Sequence, residues 1–315
     1  MDPSLDYLDN DVSYLLGLTV GRGTITRTGS IQRLVIEFPF VNLKVEGITK
    51  SFDQKDKLVI GLNPIRSRVD ELADINVRQD VTDNSVVLTF ESMKNSIFWR
   101  NIQLLTGGKT SFREFQVPQQ ILDADETVQK EFLRGYADAC GSVRASNYEQ
   151  RASSLPKRYR VYLDVQNPNW ILPRQLCYLL QDRLGVPVQT ITYGHPNIRD
   201  PGLKEYKEGK KNAWMREHQI KVFCEYFEKI GFYMEHKQEI LKELAAANRT
   251  GFPEGPPGFC NPPKNLRPKA RHPMERSVHL PRELRGKHYD SYWQICADLG
   301  CYRYKQWRTK NPELT

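Results

Sequence analysis

The 315-residue sequence predicts an α+β fold, built as two tandem αββαββα lobes with pseudo-two-fold symmetry and an irregular, basic C-terminal extension. Three observations predict it. The order of helix and strand patterns is repeated along the chain, a glycine-containing helix segment occurs twice, and the composition changes after Asn248. We therefore place the first lobe at residues 1–117, the second lobe at 118–247 and the extension at 248–315.

The elements of the first lobe are predicted from residue patterns typical of each. An apolar opening segment predicts a helix with Asp11 as its N-cap, and Gly29 lies in a turn between two β-prone segments. Asn63 followed by proline is a typical helix start. The secondary structure of residues 41–62 is ambiguous from the sequence. The other predicted elements are a helix at 11–19, two strands within 24–40, a helix that starts at 63 and continues to 75, a hairpin with strands at 75–81 and 85–91, and a helix at about 93–105.

The second lobe repeats this order. Gly17 and Gly135 occupy matching places in the two halves and are 118 positions apart. A repeat of this length predicts one lobe used twice in the same chain. The predicted elements are helices at 130–139, 172–184, 224–230 and 235–247, and strands at 142–145, 158–165, 186–192 and 217–223.

Two nine-residue segments, LLGLTVGRG at 15–23 and LRGYADACG at 133–141, open the two halves. Gly17 and Gly21 are four residues apart and therefore share one helix face, as do Gly135 and Ala139. Helices with small residues on facing ridges can approach closely. The sequence therefore predicts that these four residues form the interface between the lobes.

Both segments resemble the LAGLIDADG motif of homing endonucleases and intein nucleases, and the resemblance covers about residues 10–247. It implies a central helix pair beneath two β-saddles that follow the major groove of duplex DNA. It also implies that the last acid of each motif helps to hold a divalent ion such as Mg²⁺ against a scissile phosphate.

The two acid positions are occupied here by Arg22 and Cys140. A guanidinium repels a cation, and a protonated thiol is a poor ligand for Mg²⁺. Asp138 is the nearest remaining acid and the candidate catalytic residue, although residues two apart on a helix point to nearly opposite sides. Mg²⁺ is therefore expected only if the protein is an active nuclease. Arg22 is a candidate for contacting a phosphate where the metal would have been.

Basic residues alternate along the predicted strands, and as a group they are candidates for DNA contacts on the saddles. Each one taken alone is more typical of an ordinary solvated charge. The candidates besides Arg22 are Arg27, Arg33, Arg78, Arg144, Lys157, Arg158 and Arg160.

The C-terminal extension carries 13 of the 46 Lys and Arg residues and 6 of the 38 Asp and Glu residues, so most of the net charge of +8 lies there. Its Pro- and Gly-rich start indicates a linker or irregular arm. Six scattered cysteines favour a reducing compartment over a disulfide framework. A structural zinc site is one possibility and small buried thiols with a surface histidine are the other. The candidate zinc ligands are Cys260, His272, Cys296 and Cys301.

Three functions remain open from the sequence. The first is sequence-specific binding of double-stranded DNA on a disarmed nuclease scaffold, as in a transcription regulator. The second is an active DNA endonuclease with an altered metal site, and the third is an RNA-binding splicing helper of the maturase kind. A basic chain favours a polyanionic partner in each case. We expect a monomer, since both halves of the pseudo-dyad are present, and a cytoplasmic protein, since no apolar segment is long enough to span a bilayer.

Overall fold

The structure is a computed structural model of the chain, and it describes residues 7–72, 76–93, 96–145, 158–166, 171–196 and 216–251. Two four-stranded antiparallel sheets and a set of helices make up this part of the protein. The predicted α+β class and the repeated element order are thereby confirmed. The predicted boundary at residue 247 stays a prediction, because residues 252–315 lie outside the described ranges.

The first lobe contains a four-stranded sheet and a small hairpin. The sheet has the strand order β1-β2-β6-β5, and its turn between β1 and β2 contains Gly29 with a φ of 61°. The elements are α1 (Asn10–Arg22), β1 (Gly23–Thr28), β2 (Ile31–Pro39), α2 (Phe40–Leu43), β3 (Val45–Glu46), β4 (Ser51–Phe52), α3 (Lys55–Ile60), α4 (Asn63–Asp70), β5 (Asn76–Val81), β6 (Ser85–Met93) and α5 (Ile97–Leu105).

The second lobe contains a sheet of matching form, with the strand order β7-β8-β10-β9. Its middle helix changes from α-helical to π-helical hydrogen bonding at Tyr178, within the single helix that the sequence predicts. The elements are α6 (Gln119–Asp123), α7 (Glu126–Cys140), β7 (Gly141–Val143), β8 (Arg160–Gln166), α8 (Leu172–Cys177), the π-helical segment (Tyr178–Arg183), β9 (Val188–Pro196), β10 (Arg216–Phe223), α9 (Cys224–Phe227) and α10 (Glu235–Gly251).

Each sheet turns one face toward the core and the other face outward. Leu34 and Ile36 of β2 are fully buried on the inner face, and Leu163 of β8 and Ile220 of β10 are buried in the same way. Successive strand residues point to opposite faces, so the residues between them lie on the outer face. This alternation determines which charged side chains lie on the outer faces, where they can contact another molecule.

Helices α1 and α7 pack against each other at backbone distance. A Cβ atom added to Gly17 would lie 2.1 Å from the carbonyl oxygen of Phe132, and one added to Gly135 would lie 2.1 Å from that of Tyr14. Both distances are far below van der Waals contact. The two glycines therefore allow a helix crossing that other residues would prevent.

The ends of α1 and α7 are also alike. Asp9 accepts hydrogen bonds from the amides of the first turn of α1, at 3.0 and 2.8 Å, and Asp125 does so for α7, at 2.8 and 3.0 Å. The prediction of Asp11 as N-cap is wrong by two residues. The N-cap is Asp9, because α1 already begins at Asn10. At the other ends, a Cβ on Gly23 or Gly141 would overlap a carbonyl oxygen of the last turn, at 2.6 and 2.4 Å.

Residues 41–62 form the hairpin β3–β4 and helix α3, which connect the first lobe to the last helix of the second. Glu243 of α10 accepts hydrogen bonds from the backbone amide and the hydroxyl of Thr49. His236 lies 3.0 Å from the carbonyl oxygen of Leu43, and burial lowers the pKa of His236 to about 4. The predicted helix start at Asn63 is confirmed, with the following proline in the first turn, but Asn63 is the first helical residue and does not cap α4.

The helix crossing gives a first testable expectation. Gly17→Ala and Gly135→Ala should each lower the free energy of unfolding by about 3 kcal/mol or more, because the new methyl group meets backbone atoms that cannot rotate away. Gly21→Ala is the matched control, since its Cβ would meet the side chains of Cys140 and Ala139 at 3.0 and 3.2 Å. Chemical denaturation measures all three. Equal losses for Gly17→Ala and Gly21→Ala would contradict the close backbone approach.

Candidate functional site at the paired helix ends

Arg22 and Cys140 lie together at the C-terminal ends of α1 and α7. Arg22 is 4% exposed and Cys140 is 2% exposed. The Arg22 guanidinium lies close enough to the Cys140 thiol to favour its charged form. Burial raises the pKa of Cys140 to about 11, and the positive charge of Arg22 only partly offsets this. At neutral pH the helix ends therefore present a guanidinium and a neutral thiol.

Asp138 lies about half a turn before Cys140 on α7, and its carboxylate accepts hydrogen bonds from other groups of the protein. One oxygen accepts hydrogen bonds from the Tyr14 hydroxyl at 2.7 Å and from the Tyr233 amide at 3.0 Å. The other accepts from the Met234 amide at 3.3 Å. The side chain is fully buried, and this burial raises the pKa of Asp138. Asp138 thus joins α1, α7 and the segment before α10.

Lys237 is a buried cation beside this carboxylate. Its ammonium donates hydrogen bonds to the carbonyl oxygens of Asp138 at 2.8 Å and Gly141 at 2.9 Å, and its side chain is fully buried. It therefore satisfies two carbonyl groups where α7 ends, which is a favourable place for a positive charge. Burial lowers the pKa of Lys237 to about 8, although Asp138 and Cys140 oppose this.

The outer face of the second sheet adjoins the helix ends. Asp164 of β8 lies on this face, and its negative charge raises the pKa of Cys140 and of Lys237. Arg160 and Tyr162 precede it on the same face of β8, and Lys221 faces outward from the neighbouring strand β10, paired in register with Tyr162. The Lys221 ammonium lies 5.8 Å from the centre of the Tyr162 ring.

The outer face of the first sheet carries paired charges. Arg33 of β2 bonds to Glu91 of β6 at 2.5 Å, and Arg78 bonds to Asp80 within β5 at 2.8 Å. Glu37 is a third carboxylate on this face. Arg27 differs from the expectation for a saddle residue. It is exposed at the end of β1, but its partner in register is Gln32, which is buried on the inner face.

Two further arginines expected on the saddles are bound within the protein. Arg158 is 7% exposed, bonds through Nε to Glu225 at 2.7 Å and stacks 4.2 Å from the centre of the Phe223 ring. Arg144 donates a hydrogen bond to the carbonyl oxygen of Val41 in the first lobe. Their charges therefore join elements of the fold, because a buried carboxylate and a carbonyl oxygen compensate them.

Some predicted residues lie outside the described ranges. These are Lys157 and the candidate zinc ligands Cys260, His272, Cys296 and Cys301. Within the described ranges, no three His, Cys, Asp or Glu side chains are grouped so that they could hold a metal ion. No helix among the described residues is long and apolar enough to cross a membrane.

Lys237 and Lys221 are absent from the sequence-based candidates, yet the sequence carries a signal for both. Lys237, Ile240, Leu241 and Leu244 follow the spacing of one apolar helix face, so a lysine there must be buried. Lys221 lies between Ile220 and Val222 in a strand, and the alternation places it on the opposite face from both.

The architecture of the described chain is that of two αββαββα units joined by a pair of glycine-containing helices. The fold is LAGLIDADG-like. The resemblance of the two motifs is thereby confirmed at the level of fold, on the helix pair and the two matching sheets. No protein-family model and no curated protein matches the chain.

Solved structures with similarity to the chain include two kinds of protein. Full-length DUF199/WhiA from Thermatoga maritima is 13% identical with a TM-score of 0.40, and the match covers 75% of this chain and 60% of that protein, which is less than two thirds of its length. Variants of the homing endonuclease I-DmoI are 19% identical with a TM-score of 0.37, covering 70% of this chain and 93% of theirs. I-DmoI in complex with DNA and Mn is 19% identical with a TM-score of 0.34, covering 68% and 89%.

The buried ammonium of Lys237 predicts a pH dependence of stability. The unfolded chain keeps this proton up to about pH 10.5, whereas the folded protein releases it near pH 8. The unfolded state therefore binds more protons in this window, and the free energy of unfolding rises with pH across it, by at most about 1.4 kcal/mol per pH unit.

Lys237→Met tests this dependence. The variant should lack the rise, so the stability of the unsubstituted protein relative to it should increase between about pH 7.5 and 9.5. Urea denaturation at several pH values measures the difference, and Lys242→Met on the same helix is the control. Parallel pH profiles for the unsubstituted protein and Lys237→Met would contradict a lowered pKa.

Proposed function

We propose that the protein binds double-stranded DNA in a sequence-specific manner, as a monomer, and without the metal-dependent cleavage of nucleases with this type of fold. The observation that carries the proposal is the pair Arg22 and Cys140 at the point where α1 and α7 end. In the LAGLIDADG nucleases that the two motifs resemble, carboxylates at this point hold metal ions against the DNA backbone. Here it holds a permanent positive charge next to a neutral thiol.

The residues present do not fit Mg²⁺. This ion takes oxygen ligands, mostly carboxylates and water, in near-octahedral geometry. Arg22 offers no ligand atom and repels a cation, and the Cys140 thiol is soft and protonated. Asp138 is the nearest carboxylate, but its two oxygens already accept three hydrogen bonds from the Tyr14 hydroxyl and from two backbone amides. We therefore derive no reaction step through a metal ion.

A guanidinium at the helix ends suits a phosphate group instead. The guanidinium of Arg22 could neutralise the charge of a DNA phosphate at the point where a nuclease would use a bound metal ion. Charge-assisted hydrogen bonds to phosphate are among the stronger hydrogen bonds in proteins. The adjoining outer face of the second sheet carries Arg160 and Lys221, which suits contact with a polyanion. Because both helices of the central pair come from one chain, the arrangement supports a monomer.

The alternative of an active endonuclease would need Asp138 to exchange its present hydrogen bonds for a metal ion. That exchange would detach Tyr14 of the first lobe and the segment before α10 from the carboxylate. The buried, hydrogen-bonded position of Asp138 therefore favours a structural role over a catalytic one.

Metal independence of DNA binding is the first test. The full chain should select a preferred site from a random duplex pool and bind it with equal affinity in EDTA and in Mg²⁺, because the cations at the helix ends belong to the protein. Gel shift gives the affinity and the same samples report cleavage. Cleavage in Mg²⁺ that Asp138→Asn abolishes would overturn the proposal in favour of the endonuclease. Stronger competition by structured RNA than by duplex DNA would favour the splicing helper.

A double substitution tests whether the scaffold is disarmed. Arg22→Asp combined with Cys140→Asp should create a divalent-ion site, seen as a thermal midpoint that rises with Mg²⁺ concentration by mass action. Arg22→Asn with Cys140→Asn is the matched control and should show no such rise. If the two variants respond to Mg²⁺ alike, the helix ends are not the remnant of a metal site.

A further inference from the structure

The outer faces of the two sheets differ in charge although their strand orders match. On the first sheet the described side chains include three carboxylates, Glu37, Asp80 and Glu91, and two arginines. Each of these arginines is already paired, Arg33 with Glu91 and Arg78 with Asp80. Glu37 and Asp80 flank Val87 in one cross-strand row, so their charges add at that edge.

The described side chains on the outer face of the second sheet have the opposite balance. Among its described side chains, Arg160 and Lys221 oppose the single carboxylate of Asp164. Asp164 accepts a hydrogen bond from Gln219 at 2.9 Å. Within the described ranges Lys221 forms no ion pair, and its ammonium faces the ring of Tyr162.

The positive charges of Arg160 and Lys221 repel each other on the outer face of the second sheet. Arg160 and Lys221 are diagonal neighbours on adjacent strands, because Arg160 pairs with Phe223 and Lys221 with Tyr162. Burial and the charge of Arg160 lower the pKa of Lys221, with Asp164 opposing. A bound anion would relieve this repulsion, whereas on the first sheet it would have to compete with the carboxylates that already hold the arginines.

We infer that the protein binds DNA asymmetrically, with the outer face of the second sheet holding backbone phosphate through Lys221 and Arg160, and the outer face of the first sheet contributing little electrostatic affinity. This inference rests on the proposed DNA binding and specifies which half of the molecule supplies the phosphate contacts. It sets Lys221 apart from Arg33 and Arg78, whose charges are neutralised within the first sheet.

The test compares Lys221→Gln with the matched control Arg78→Gln. The probe is a labelled mixed-sequence duplex of about 30 base pairs, titrated with the full chain between about 50 and 200 mM salt. Lys221→Gln should weaken binding about 5-fold and reduce the slope of log affinity against log salt by about one. Arg78→Gln should change the affinity less than about 2-fold, because its charge is paired. Lys221→Arg keeps the charge and should restore at least half of the affinity.

The outcomes separate the inference from the proposed function. If the unsubstituted chain does not bind the duplex at low salt, the proposed function fails and the inference fails with it. If the unsubstituted chain binds and Lys221→Gln binds equally well with an unchanged salt slope, the inference alone is overturned. A loss in Arg78→Gln as large as that in Lys221→Gln also overturns it. Equal thermal midpoints of the variants ensure that the comparison reports binding.

Discussion

The contact between the backbones of α1 and α7 is the constraint on which the rest of the structure depends. Gly17 and Gly135 each lie against a carbonyl oxygen of the other helix, and only residues without a side chain fit there. This crossing fixes the relative position of the two sheets, because each sheet packs its inner face on this helix pair. It also fixes where the helices end, and therefore brings Arg22 and Cys140 to one point.

Polar groups at the same interface select one orientation of α1 relative to α7. Arg68 of the first lobe forms an ion pair with Glu131 of α7 at 2.9 Å and stacks over the Tyr14 ring, with 4.2 Å between the guanidinium carbon and the ring centre. Tyr14 in turn donates to Asp138. A misplaced helix pair would leave these buried charges without partners, which costs more than the loss of apolar contact alone. The small residues allow close approach, and the charged residues select one arrangement.

Much of the fold and part of the site could be predicted from the sequence, for physical reasons that differ by element. The small residues of the two motifs predict a close helix crossing, and the alternation in β2 and β10 predicts which residues are buried. The position of Arg158 could not be predicted, because its partner Glu225 is 67 residues away and only the tertiary fold brings them together. The side of the sheet on which Arg27 lies could not be predicted either, because the strand register, which pairs it with Gln32, decides this rather than composition. The role of Asp138 depends on the amides of Tyr233 and Met234, whose positions no local pattern encodes.

The hairpin β3–β4 has a consequence for synthesis of the chain. Its contacts with Glu243 of α10 join residues 194 and 195 positions apart. A ribosome exposes this part of the first lobe long before the helix that covers it, so the first lobe must wait with this docking surface open while the second lobe is translated. Contacts of such long range slow folding. Docking of α10 onto the first half of the molecule is therefore a long-range step that follows translation of the second lobe.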